Sequence, residues 1–80
     1  MTVVTLYTKP DCHLCTEAHT ALLKVQCDIQ FELSELDITR DEALHRAYFE
    51  RIPVVALAGE ELFEYFVDEE ALRDRLRAIL

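Results

Sequence analysis

Glycine occurs once in this chain, at Gly59, proline twice, tryptophan not at all, and Lys plus Arg number 8 against 16 Asp plus Glu. With one glycine, neither G-x-G-x-x-G nor G-x-x-x-x-G-K can be written anywhere, which excludes folds that cradle nucleotide phosphates on such loops. The few basic residues are interleaved with acids, so a formal charge of -8 leaves nothing to track a phosphate backbone and no nucleic-acid partner is expected. No apolar run approaches the ~20 residues of a membrane span. The amino terminus passes directly into Val3-Val4-Thr5-Leu6-Tyr7 without a charged-then-apolar leader. The expectation is an unprocessed, cytoplasmic protein with no membrane partner, acting as a monomer.

What is present is enough for one domain over residues 1–80, in which 51% hydrophobic residues support a modest core. Three cysteines cannot form a disulfide framework, because at most one pair closes and one thiol is left, a count that suits a reducing compartment. The one close pair is Cys12-His13-Leu14-Cys15. A bridge across so short a loop adds about 2 kcal/mol at most by chain entropy, so chemistry explains the spacing better than stability: thiol–disulfide exchange or metal ligation.

Along the chain, Val3 to Thr8 is a β-branched and aromatic run, read as a strand buried on both faces. Lys9-Pro10-Asp11 ends it, and Leu14, Ala18, Ala21, Leu22 and Val25 then recur at helical spacing. Gln30 to Ile38 reads as a second strand whose apolar parity switches between Leu33 and Leu36, predicting an irregularity near Ser34-Glu35. Thr39 and Glu42 have capping-box spacing, opening a short helix through about Phe49 with Ala43, Leu44, Ala47 and Tyr48 on one face. Val54 to Leu57 is a third strand, Ala58-Gly59-Glu60 a turn, and Glu61 to Tyr65 the return strand. Asp68 caps a last helix with Leu72, Leu76, Ile79 and Leu80 apolar. The order β-α-β-α-β-β-α implies an α/β fold with a four-stranded mixed sheet and helices on both faces.

This order puts the C-x-x-C where the first strand hands over to the first helix. Free backbone N–H groups and the positive end of the helix dipole there favour a thiolate on the first cysteine, Cys12. Cys15 lies one turn deeper, in reach of a mixed disulfide on Cys12. Cys12 is therefore read as the attacking thiolate and Cys15 as the resolving thiol. Cys27 and the aromatic residues Phe63, Tyr65 and Phe66 read as packing, while His19 and His45 read as helix-face residues. His13 either stabilises the neighbouring thiolate when protonated or is simply a half-exposed side chain.

Thr8-Lys9-Pro10-Asp11-Cys12-His13-Leu14-Cys15 after a first strand, with Arg51-Ile52-Pro53-Val54 before the third, resembles the glutaredoxins of the thioredoxin-like fold. The resemblance spans essentially the whole chain in element order and is similar above all to short glutaredoxin-like proteins whose active-site dipeptide is not Pro-Tyr. It implies a cis Ile52–Pro53 bond facing the cysteines, with the Ile52 backbone turned toward an extended substrate. It further implies that Lys9 faces a glutathione carboxylate and favours the thiolate, an effect that Asp11 opposes. Asp68 matches the acidic residue that follows the hairpin and contacts glutathione.

Two departures bear on partners. His13-Leu14 replaces the usual dipeptide, and Glu64-Tyr65-Phe66-Val67-Asp68 stands where glutaredoxins carry Gly-Gly. Larger side chains and the Glu64 carboxylate oppose an anionic tripeptide, so the reductant is either glutathione or a protein dithiol donor of the thioredoxin-reductase type. The expected activity is reduction of disulfide-containing proteins, a neutral or basic partner being favoured, without metal or organic cofactor. The competing readings are metal or iron–sulfur binding through Cys12 and Cys15, and a non-catalytic module that binds extended peptide beside Ile52-Pro53.

Overall fold

The described residues, 2–79 of the computed structural model, form β1 (Val3–Thr8), α1 (His13–Asp28), β2 (Glu32–Asp37), a 3-10 turn (Ile38–Arg40), α2 (Glu42–Tyr48), β3 (Val54–Leu57), β4 (Glu60–Glu64) and α3 (Glu69–Ile79). The strands make one mixed sheet in the order β2-β1-β3-β4. β1 runs parallel to β2 and antiparallel to β3, and β4 is antiparallel to β3. The parallel pair requires a crossover, which α1 supplies, whereas β3 and β4 need only a tight turn.

Alternation along the strands decides the layers. Val4, Leu6, Val55 and Leu57 pack against Ala18, Leu22 and Val25 of α1 and Leu72 and Leu76 of α3, forming the main core on one face. On the other face Tyr7 stacks on Tyr48 of α2, with ring centroids 4.3 Å apart. A smaller cluster of Cys15, Ile38 and Ile52 sits at the carboxyl end of β1, with Tyr7, Cys12, Leu44 and Tyr48 packed around it. Helices therefore cover both faces, but α2 is short and buries no residue fully. That is why β1, expected to be buried on both faces, leaves Val3 exposed and Thr5 half-buried.

Several expectations are corrected. β2 starts at Glu32 and pairs in unbroken register from Glu32 to Asp37, with no irregularity at Ser34-Glu35. The conflicting parity disappears because Phe31 and Ile38, both buried, lie just outside the strand, and Leu36 on this edge strand is exposed. The irregularity falls between Val55 and Ala56, opposite Phe63 and Glu61, which leaves Leu62 as the extra residue of a bulge. Asp41 rather than Thr39 caps α2: its Oδ1 accepts the N–H groups of Ala43 and Leu44 at 2.9 and 3.1 Å. Thr39 instead binds Asp37 Oδ1 through its own N–H and hydroxyl.

Other side chains lie further out than the helical and hairpin patterns suggest. Leu14, Cys27, Ala43, Ala47 and Ile79 are exposed, each beyond the reach of the core that its helix covers. Tyr65 and Phe66 are exposed as well, Phe66 at 74%, because β4 ends at Glu64 and the chain turns away from the sheet. Phe63 does pack on the main core. Asp68 caps α3, its Oδ1 accepting from the Ala71 N–H at 3.1 Å; Leu80 lies outside the described residues.

The β3–β4 loop has two residues, Ala58 and Gly59, with φ of 53° and 85°. Positive φ at both central positions is the type I′ geometry that matches the twist of a hairpin. Gly59 takes it freely, whereas Ala58 pays the left-handed cost of its Cβ. Ala58→Asn is therefore expected to raise stability by about 0.5–1 kcal/mol. Asp41→Ala should lower it by about 1 kcal/mol and Thr39→Ala by less, all three read from urea unfolding.

Candidate active site

Residues 9–12 turn the chain from the carboxyl end of β1 into the amino end of α1. Asp11 makes the turn with φ 58°, a left-handed conformation that a short polar side chain tolerates. Cys12 follows in extended conformation as the N-cap of α1, the place ordinarily taken by Ser, Thr, Asp or Asn. Its Sγ accepts the Cys15 N–H at 3.2 Å, and its carbonyl accepts the Thr16 N–H at 3.1 Å. Cys12 and Cys15 are joined as a disulfide with Cα atoms 5.2 Å apart. Cys12 is half-buried and Cys15 is 4% exposed, so the pair presents its first sulfur outward and its second inward.

The sheet order puts different surroundings on the two sides of this pair. Toward β2 lies an open cavity of about 580 Å³ lined by Lys9, Asp11, His13, His19 and Glu35 together with both cysteines. His19 and Glu35 meet across it, Nε2 to Oε1 at 2.7 Å. His13 is 88% exposed on its side chain and lies 3.6 Å from Glu17, one turn along α1.

Toward β3 lie Ile52 and Pro53, both buried and joined by a cis peptide bond, with Ile52 in the same cluster as Cys12 and Cys15. Behind them Tyr48 donates its hydroxyl to Glu61 at 3.1 Å. Arg51 lies over the Tyr48 ring at 5.2 Å and pairs with Glu61 and Glu64. Burial, reinforced by the bond to Glu61 and the adjacent Tyr7, pushes the Tyr48 phenol up to about 12.

The chain as a whole has relatives among known proteins. Residues 3–77 match the family model described as glutaredoxin-like domain (DUF836). The chain belongs to the glutaredoxin-like family. Among solved structures it is similar to protein Ne2328 from Nitrosomonas europaea, with a TM-score of 0.81 and 32% identity over 94% of this chain and 91% of that one. It is also similar to protein XcR50 from X. campestris, with a TM-score of 0.77 and 37% identity over 94% and 96%. A thioredoxin variant from Halobacterium salinarum, at 23% identity and a TM-score of 0.69 over 96% of this chain and 73% of that one, shares the thioredoxin-like fold.

Of the site residues expected from sequence, Lys9, His13, Cys12 and Cys15 share the cavity, and Ile52 packs with the cysteines from the other side, followed by the buried Pro53. Asp68 stands apart from that lining, its carboxylate engaged at the start of α3. Just after β4, Tyr65 adopts a left-handed φ of 71°. Its N–H donates to the Pro53 carbonyl at 2.8 Å and its hydroxyl to the Glu50 carbonyl at 2.8 Å, while the Phe66 N–H closes a three-residue turn onto Glu64 at 2.8 Å. The left-handed backbone thus persists without glycine, held by bonds from both ends of the tyrosine. Sequence reasoning missed His19 and Glu35. A signal for His19 was present in its spacing of four from Cys15; Glu35 carried none until β2 was placed beside β1.

The Tyr48 shift has a definite consequence for stability. A phenol whose ionisation is raised by folding contributes its full share below pH 10 and loses it as pH rises toward 12. Stability should therefore fall over that interval, and Tyr48→Phe should flatten that part of the profile in unfolding measured against pH.

Proposed function

We propose that this glutaredoxin-like protein is a dithiol–disulfide oxidoreductase that reduces disulfides of other proteins. The observation that carries the reading is Cys12 Sγ standing at the N-terminus of α1 with the Cys15 N–H aimed at it. In the reduced protein the same N–H and the helix dipole favour the Cys12 thiolate. That thiolate attacks one sulfur of the substrate disulfide, the substrate S–S bond breaks, and the other half leaves as a thiolate. Cys15 then attacks Cys12 Sγ, the Cys12–substrate bond breaks, and the second half leaves as a thiol. Two electrons pass from the cysteine pair to the substrate, and the pair ends as the Cys12–Cys15 disulfide.

The surroundings fit a polypeptide substrate. Ile52, in the stretch that leads into β3, offers its backbone beside Cys12 for pairing with an extended chain. Lys9 borders the cysteines on the opposite side, where its charge favours the thiolate, and His13 lines the same cavity. A net charge of -8 favours a neutral or basic partner over an anionic one. Two electrons return to the pair from glutathione or from a protein dithiol of the thioredoxin-reductase type.

Cys12→Ser should abolish turnover of a protein disulfide, while Cys15→Ser should retain the first attack and trap a stable mixed disulfide visible by mass. Recycling of the wild-type pair with glutathione and glutathione reductase, against thioredoxin reductase with its dithiol carrier, identifies the donor. A Cys12→Ser protein that still turned over would refute the assignment.

A further inference from the structure

The reaction proposed above moves one proton from Cys15 to the departing sulfur and assigns no group to carry it. Cys15 must be ionised when it attacks, because the thiolate and not the thiol is the nucleophile. Its position works against that. It is 4% exposed, burial favours the neutral thiol, and its own N–H points at Cys12 Sγ and away from its side chain. The strand beneath supplies no base, since of its residues that line the cavity Leu6 is buried and apolar and Thr8 carries only a hydroxyl.

His19 is placed to take that proton. It follows Cys15 by four residues on α1, a spacing at which Cβ atoms are about 5–6 Å apart. Helical side chains lean toward the amino terminus, so its ring covers the turn that carries Cys15. Both residues line the same cavity of about 580 Å³, which has room for water between them. Glu35 lies 2.7 Å from His19 Nε2. A carboxylate there keeps the neutral ring's proton on Nε2 and leaves Nδ1 as the acceptor. The other charged groups facing the cavity are Lys9 and Asp11 on the β1–α1 turn and His13 on α1, itself beside Glu17.

We infer that His19, oriented by Glu35, is the proton acceptor for the resolving cysteine, acting through water in this cavity. The inference rests on the oxidoreductase reading. In the mixed disulfide the Cys15 thiol gives its proton to His19 Nδ1, and the thiolate formed attacks Cys12 Sγ. The Cys12–substrate S–S bond breaks, its electron pair leaves on the substrate sulfur, and that sulfur takes the proton from the imidazolium. His19 ends as it began, Cys12 and Cys15 are oxidised to the disulfide, and the substrate half is reduced to a thiol. Glu35 touches neither sulfur in this scheme and is a positioning residue.

The test separates the two chemical steps. Reduced protein carrying Cys27→Ser, which removes the exposed third thiol, is mixed with Ellman's disulfide in a stopped-flow instrument. The first equivalent of coloured thiolate reports attack by Cys12 and the second reports resolution by Cys15. His19→Gln is expected to slow the second phase about 10-fold to 100-fold at neutral pH, leave the first unchanged, and remove the histidine step from the pH profile of resolution. Added imidazole should restore part of the rate, and Glu35→Gln should give a smaller loss. Resolution by His19→Gln at the wild-type rate across pH 5.5 to 8 would overturn the inference, as would a slowing that neither changes the pH profile nor responds to imidazole. If the parent protein shows no first phase, the oxidoreductase reading itself has failed; a normal parent with an unaffected His19→Gln variant refutes the relay alone.

Discussion

The hydrogen bond from the Cys15 N–H to Cys12 Sγ ties the chemistry of this protein to the start of one helix. An N-cap side chain must accept from the first turn, and a cysteine in that role has its sulfur aimed at backbone donors by the same geometry that starts the helix. The remaining arrangement follows from holding α1 there. The main core of Leu22, Val25, Leu72 and Leu76 against Val4 and Leu6 fixes the helix on the sheet. The left-handed Asp11 sets the angle at which the chain enters it. The small cluster of Cys15, Ile38 and Ile52 brings the approach to β3 up to the same point.

The two sides of the cysteine pair have different characters, and the proposed reaction draws on both. The β3 side is packed and apolar, with Ile52, Pro53 and the stacked Tyr7 and Tyr48 backed by the ion pairs of Arg51. It suits contact with an extended chain. The β2 side is open and ionisable, with Lys9, His19 and Glu35 around a cavity. It suits proton movement. Exposed ion pairs of this kind contribute little to stability, roughly 0–1 kcal/mol each, so the His19–Glu35 pair is better understood through what it borders than through what it holds together.

The element order and the position of the C-x-x-C were legible in the sequence because period and punctuation changed together: a β-branched run, a Lys-Pro-Asp break, then helical spacing. What was not legible depended on neighbours distant in sequence. Asp41 and Thr39 are both good caps by composition, and only the 3-10 turn at Ile38–Arg40 selects Asp41. Leu33 and Leu36 suggested a bulge in β2 because nothing local reveals that Phe31 and Ile38 fall outside the strand. Cys27 resembled core because free cysteine is commonly buried, yet it sits on the wet side of α1 near its end. Glu35 joined the site only through its register with Leu6. The scarcity of glycine does not prevent left-handed backbone after the hairpin, where Tyr65 adopts φ 71°.

The central claim is that α1 makes Cys12 the nucleophile. Its most direct measurement is the pH dependence of alkylation of the fully reduced protein, with each cysteine resolved by peptide mass. Cys12 should react first, with a midpoint well below the ~8.5 of an ordinary thiol, while Cys15 reacts slowly. Cys12 titrating at the ordinary value, or Cys15 reacting ahead of it, would contradict the account.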